Sequence, residues 1–195
     1  YEPKGFYEDP ANTTGRLTSS NGCGSNVAES GLVNGSDYIT IAPNAKQSWN
    51  FSYHNIPQAW AKTSGSGVKI IIIDGGVSSS QSLFSADFNS GYSAGRTIEK
   101  KVTLRKSAWF GLSYGSVETS TNDDCGHGTS MAGAATGPRT SLGSTTGVAY
   151  NANLITVRAA TDVLIDEARE TKGVTDAFTL AGNTISAKII SMSMG

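Results

Sequence analysis

The stretch Val68-Lys69-Ile70-Ile71-Ile72-Ile73-Asp74-Gly75-Gly76-Val77 constrains the fold of this 195-residue chain more than any other. An unbroken run of isoleucines between Gly67 and Gly75 offers no polar face to water. That is the pattern of a strand buried on both sides, as in a parallel sheet. The chain on either side supplies the other parts of such a fold. Ile56 to Lys62 predicts a short helix ended by Ser64-Gly65-Ser66-Gly67. Ile98 to Leu104 predicts a strand, with Lys100, Lys101, Arg105 and Lys106 on its solvated face, and Asn153 to Arg158 predicts a buried one. In Val163 to Ala181 the spacing of Val174, Ala177, Phe178 and Ala181 predicts an amphipathic helix. Lys188 to Ser193 predicts the next strand. Strands alternating with helices in this order mean an α/β fold, a parallel sheet flanked by helices with right-handed crossovers.

Asp74 closes the isoleucine strand, at the end of the sheet where α/β folds build their sites. A carboxylate there is costly to bury without a partner. The partner expected is His127, in Asp123-Asp124-Cys125-Gly126-His127-Gly128-Thr129-Ser130-Met131-Ala132-Gly133. Glycines on both sides let backbone or substrate approach the ring. Small residues through Gly137 suit a tightly packed interior helix, which Asp123 or Asp124 is placed to cap. An imidazole held at such a strand-to-helix corner is a candidate general base.

These residues carry a resemblance. Asp-Gly-Gly-Val after an apolar strand, followed by Gly-His-Gly-Thr-Ser-Met-Ala-Gly, resembles the first two of three signature segments of the subtilisin-like serine proteases. Ile56-Pro57-Gln58-Ala59-Trp60 resembles that family's entry helix. Gly147 to Leu154 resembles the segment leading into the next strand, and Ser191-Met192-Ser193-Met194-Gly195 the substrate-binding strand. The resemblance runs from about residue 56 to the last residue. It implies a catalytic acid at Asp74, a general base at His127, and an edge at Ser193, Met194 and Gly195 where an extended peptide adds by main-chain hydrogen bonds.

In the subtilisin chain order the nucleophile follows the histidine, downstream of Gly195. The fold is therefore expected to be incomplete at its C-terminus and this chain alone inactive. The C-terminal remainder, with the serine and an oxyanion-stabilising asparagine, is expected on a missing segment or a companion chain. Ser130 is a decoy: Gly128-Thr129-Ser130-Met131-Ala132 copies most of the nucleophile signature, but Ala134 stands where proline is wanted. Gly75 departs from the Ser or Thr usual after the aspartate, which removes a hydroxyl and favours, as the alternative, a degenerate peptide-binding module of the same fold. A metal-dependent hydrolase built on Asp74, His127 and Asp123 or Asp124 is a further rival, without a His-Glu-x-x-His motif to support it.

A net charge of -1 gives no electrostatic reason to expect nucleic acid or an anionic membrane. No stretch approaches the roughly 18 apolar residues of a membrane span. Tyr1 begins no signal peptide, so a secreted, extracellular protein is read here as a processed form. Cys23 and Cys125 form either one disulfide, tying an N-terminal extension to the turn before His127, or two free thiols. Residues 1–50, with a β-like patch at Tyr38 to Ile41, are read as that extension, and residues 51–195 as the N-terminal portion of the catalytic domain. Trp109 to Gly115 packs under a long loop or walls the cleft. No cofactor is required; calcium is compatible as a structural ion, with oxygens at Asp123, Asp124 and Leu142 to Gly147 but no defined ligand set. The partner expected is a peptide or protein substrate.

Overall fold

The computed structural model describes residues 23, 31–107, 115–165, 167–184 and 187–195. The Trp109 to Gly115 tract, Gly115 apart, and most of residues 1–30 lie outside them.

The isoleucine run forms β3 (Lys69–Asp74), the third strand in chain order after the hairpin β1 (Tyr38–Ile41) and β2 (Ala45–Ser48). Its neighbours in a four-stranded sheet are β5 (Asn153–Arg158) and β6 (Ile189–Met192), with β4 (Ile98–Val102) beyond β5, in the order β4-β5-β3-β6. Every pairing is parallel. Asp74 lies opposite Arg158 in the β3–β5 register. Ile70 to Ile73 are buried because each face of the sheet carries its own packing layer. Ile70 and Ile72 face Phe84, Phe88, Ala132 and Leu154. Ile71 and Ile73 face Ile155, Val157, Ala177 and Ala181.

The first layer is closed by α3 (His127–Thr136), whose Ala132 and Thr136 are buried. The loop between β3 and β4 contributes more than its composition suggests. Phe84 and Phe88 are in the core, and Arg96 is buried against the Phe88 ring, 3.6 Å from its centroid. The Arg96 guanidinium donates to the carbonyls of Phe88 (2.9 Å) and Thr136 (2.7 Å), tying the C-terminal end of α3 to this loop. Burial pushes its pKa down to about 9, so it remains protonated at neutral pH.

The second layer is α4 (Ala168–Thr184). Ala177 and Ala181 face the sheet as expected, but Phe178 is 44% exposed and Glu170 and Gly173 share the buried face. The physical reason is proximity: a Cβ at Gly173 would collide with the Ala159 carbonyl oxygen, so only a glycine lets the helix come this close to the end of β5. Arg105, expected on a solvated face, is instead paired with Asp176 of this helix.

The β-like patch proves to be half of a hairpin. Two short helices follow, α1 (Trp49–Tyr53) and α2 (Ile56–Trp60), so a boundary after Asn50 falls inside α1. The hairpin is fastened to the 139–146 segment: Lys46 and Thr146 exchange backbone bonds with that segment and the hairpin, and Arg139 Nε donates to the Ala42 carbonyl (2.7 Å). In the parallel sheet, the outer edge of β6 pairs with no strand among the described residues. Ile189, Ile190 and Met192 are exposed there.

Candidate active site

Asp74 ends β3 at the point where the chain order reverses, between β5 on one side and β6 on the other. This is the crevice that parallel α/β sheets offer to ligands. Its side chain is 2% exposed. A buried carboxylate needs donors, and Asp74 has two: the Gly75 N–H (2.7 Å) and His127 Nδ1, 3.0 Å from each oxygen. An ionised carboxylate only accepts, so Nδ1 carries the proton in this contact. Nε2 of the neutral ring is then left with its lone pair, and the ring keeps 25% of its surface in solvent. The Asp74 hydrogen bond and charge raise the His127 pKa above its ordinary value, against a desolvation penalty that lowers it, with a smaller upward contribution from Asp123.

Local structure explains how two residues so far apart in sequence meet. His127 is the first residue of α3, entered through Gly126 at φ +87°, a left-handed conformation that suits glycine. Gly128 then lets the helix touch the end of β3. A Cβ there would run into the Gly76 carbonyl and come within 3.0 Å of Asp74 Oδ1. Gly76 itself has φ +98°, and a Cβ on it would meet the Thr121 carbonyl. The glycines around the histidine are thus demanded by backbone approach.

The sequence left the capping residue open between Asp123 and Asp124. Asp123 takes that role: its carboxylate accepts from the backbone N–H of Cys125, Gly126 and Thr129. Asp124 turns away to pair with Arg158 (2.7 Å) and to accept from Asn122 Nδ2 (2.8 Å). Arg158, opposite Asp74 on β5, also donates to Ser120 Oγ and to the Asn122 carbonyl. Sequence reasoning missed it; a buried-type strand ending in an arginine was the available signal. Cys125 forms a disulfide with Cys23 across a separation of 102 residues, the first of the two arrangements the sequence allowed.

The chain belongs to the subtilase family. Residues 65–195 match that family's sequence profile, two thirds of the chain and all of the parallel sheet. A search of curated proteins returned no match. The subtilases are serine peptidases.

Against that family, the remaining expected site residues are distributed as follows. The Ser130 hydroxyl donates to the Gly126 carbonyl (3.0 Å), one turn back along its own helix, and makes no hydrogen bond to the base. Ser193 is exposed, while Met194 packs against the Ile71–Val157 layer. Gly195 is paired with its own chain: it donates to the Val163 carbonyl (3.2 Å) and accepts from Ile165 N–H (3.0 Å). Gly75, the departure from the subtilase pattern, sits against Asp123, where a Cβ would be 3.3 Å from Oδ1. Among the described residues no group of three or more His, Cys, Asp or Glu is placed to hold a metal ion. The ligand set Asp74, His127 and Asp123 or Asp124 is not assembled: Asp123 is committed to the donors of residues 125, 126 and 129, and Asp124 pairs with Arg158.

Proposed function

We propose that this chain supplies the acid and base of a serine endopeptidase that cleaves peptide bonds by acyl transfer. Asp74 orients His127 through Nδ1 and steadies the imidazolium. His127 Nε2 takes the proton from a serine hydroxyl as it attacks the peptide carbonyl, then returns it to the leaving amine. The observation that carries this reading is the bidentate approach of His127 Nδ1 to a buried carboxylate, 3.0 Å to each oxygen. The nucleophilic serine and the oxyanion-stabilising asparagine belong to a further segment or companion chain, for which the open edge of β6 is the natural seat. Substrate peptide adds to the Ser193, Met194 and Gly195 edge. The Gly195 bonds to Val163 and Ile165 must then part or re-form around it. No cofactor enters these steps; calcium, if bound, is structural. The Cys23–Cys125 bridge suits secretion into an oxidising compartment.

Treatment of the purified protein with a fluorophosphonate, followed by denaturing intact-mass analysis, tests the reading. Label on a co-purifying polypeptide that carries a serine is the expected result. Absence of label from every species points to the non-catalytic, peptide-binding alternative. Label on this chain at Ser130 overturns the assignment of the nucleophile elsewhere.

A further inference from the structure

We propose that Asp123 is a positioning residue for His127, acting through the backbone of the corner and not through the reacting atoms. This rests on the reading of His127 as the base. Four donors fill its two oxygens. Oδ1 accepts from Cys125 N–H (3.1 Å) and Gly126 N–H (2.8 Å). Oδ2 accepts from Thr129 N–H (2.7 Å) and Thr129 Oγ1 (2.6 Å). A carboxylate has about four lone-pair sites, so this one has none to spare. It is 7% exposed, and its donors bracket His127 on both sides in sequence.

The clamp also reaches across to the acid. Thr129 Oγ1, having donated to Asp123, accepts from Ser78 N–H (2.9 Å) in the loop that leaves Asp74. The same loop donates from Val77 N–H to the Thr121 carbonyl (3.3 Å) and from Ser79 N–H to Asn122 Oδ1 (2.8 Å). Three successive backbone donors therefore tie residues 77–79 to the segment that carries His127. The Asp74–His127 contact is one rung of this ladder, and the Asp123–Thr129–Ser78 chain is another. Gly75 fits the arrangement: a larger residue would press on Oδ1 of Asp123 from the strand side. The lost hydroxyl next to Asp74 is thus accompanied by a second carboxylate that holds the corner from behind. Asp123 also lends negative charge to the ring's surroundings, in the same direction as Asp74. Asp124, also nearby, is neutralised by Arg158 from β5.

Histidine-ring NMR on this chain tests the proposal, because it contains only two histidines, His127 and His54. The readouts are the titration midpoint of His127 and the solvent exchange of its Nδ1 proton, with thermal melts of every variant. Asp123→Asn is expected to lower the midpoint and to speed Nδ1 proton exchange at least tenfold, with Asp124→Asn leaving both near wild type. Thr129→Val keeps the charge and removes the hydroxyl that donates to Asp123 and accepts from Ser78; it is expected to speed exchange with little change of midpoint, and Thr129→Ser to restore protection. If Asp123→Asn folds and moves neither readout while Asp74→Asn moves both, the role of Asp123 is wrong and the base reading stands. If Asp74→Asn also moves neither, the base reading fails and takes the proposal with it. If Asp123→Asn does not fold, a folded Thr129→Val with unchanged exchange overturns the proposal.

Discussion

Two regions meet at the carboxyl end of the sheet, and they are finished to different degrees. At the His127 corner the two buried carboxylates are satisfied, Asp74 with two donors and Asp123 with four, and Arg158 ties the supporting loop to β5, its buried Nε alone finding no partner. At the β6 edge, Ile189 and Ile190 face outward, no strand covers the outer side among the described residues, and Gly195 is paired with a neighbouring loop of its own chain. The difference teaches that holding an imidazole against a buried carboxylate takes little: a strand end, a helix start and a few glycines suffice. Covering the outer edge of β6 needs a whole further element.

Breaking the finished corner should have the largest effects. In the complete enzyme, Asp74→Asn is expected to slow fluorophosphonate labelling by about 10⁴-fold, because the ring loses the acceptor that fixes its tautomer. A loss under tenfold would mean that the acid lies elsewhere. Removing the disulfide by Cys23→Ser with Cys125→Ser is expected to cost about 2–5 kcal/mol in chemical denaturation, since the bridge closes a loop of about 100 residues. Gly128→Ala is expected to destabilise the fold by about 1–3 kcal/mol, as its methyl group would be forced against the Gly76 carbonyl and Asp74. A neutral result would show that the helix start is free to shift.

The pH dependence sharpens the same comparison. The folded-state pKa of His127 is raised, so its contribution to stability is fully present below the unfolded value near 6.5 and fades as pH rises through the higher folded value. Catalysis has the opposite requirement, because only the neutral ring accepts a proton. The acid limb of kcat/KM is therefore expected above pH 6.5, read from a pH–rate profile. The smallest effect belongs to the unfinished edge. Ile190→Lys should change the stability of this chain by no more than about 1 kcal/mol, because the residue is already 41% exposed at the sheet edge. A much larger loss in the assembled enzyme, measured by the same denaturation, would locate the companion segment on β6.

The positions of β3 and β5 were legible because burial on both faces leaves a run of apolar residues, and Asp74 stood out as the charge that ends one; β2, whose Ala-Lys-Gln-Ser carries no such run, was not foreseen. The glycines about His127 were legible as well, since backbone contact is a demand only glycine meets. The face of α4 was less so. The helix presents Gly173 and Ala177 to the sheet in preference to Phe178, and periodicity alone does not tell a small residue chosen for closeness from one chosen for indifference. The core role of Phe84, Phe88 and Arg96 was hidden inside a loop that has no periodicity.

The sequence by itself determined the parallel sheet, the strand that ends in Asp74, the helix that begins at His127, and the family to which the whole belongs. All of these follow from local pattern, from residue types whose burial or conformation admits few solutions. Only the tertiary structure decided between equals: which of two adjacent aspartates caps the helix, whether two cysteines 102 residues apart meet, and what Gly195 pairs with. The disulfide and the Gly195 bonds depend on partners distant in the chain, as does the Arg158 pairing that draws Asp124 away from the cap, and no spacing rule encodes a distance that folding has yet to create.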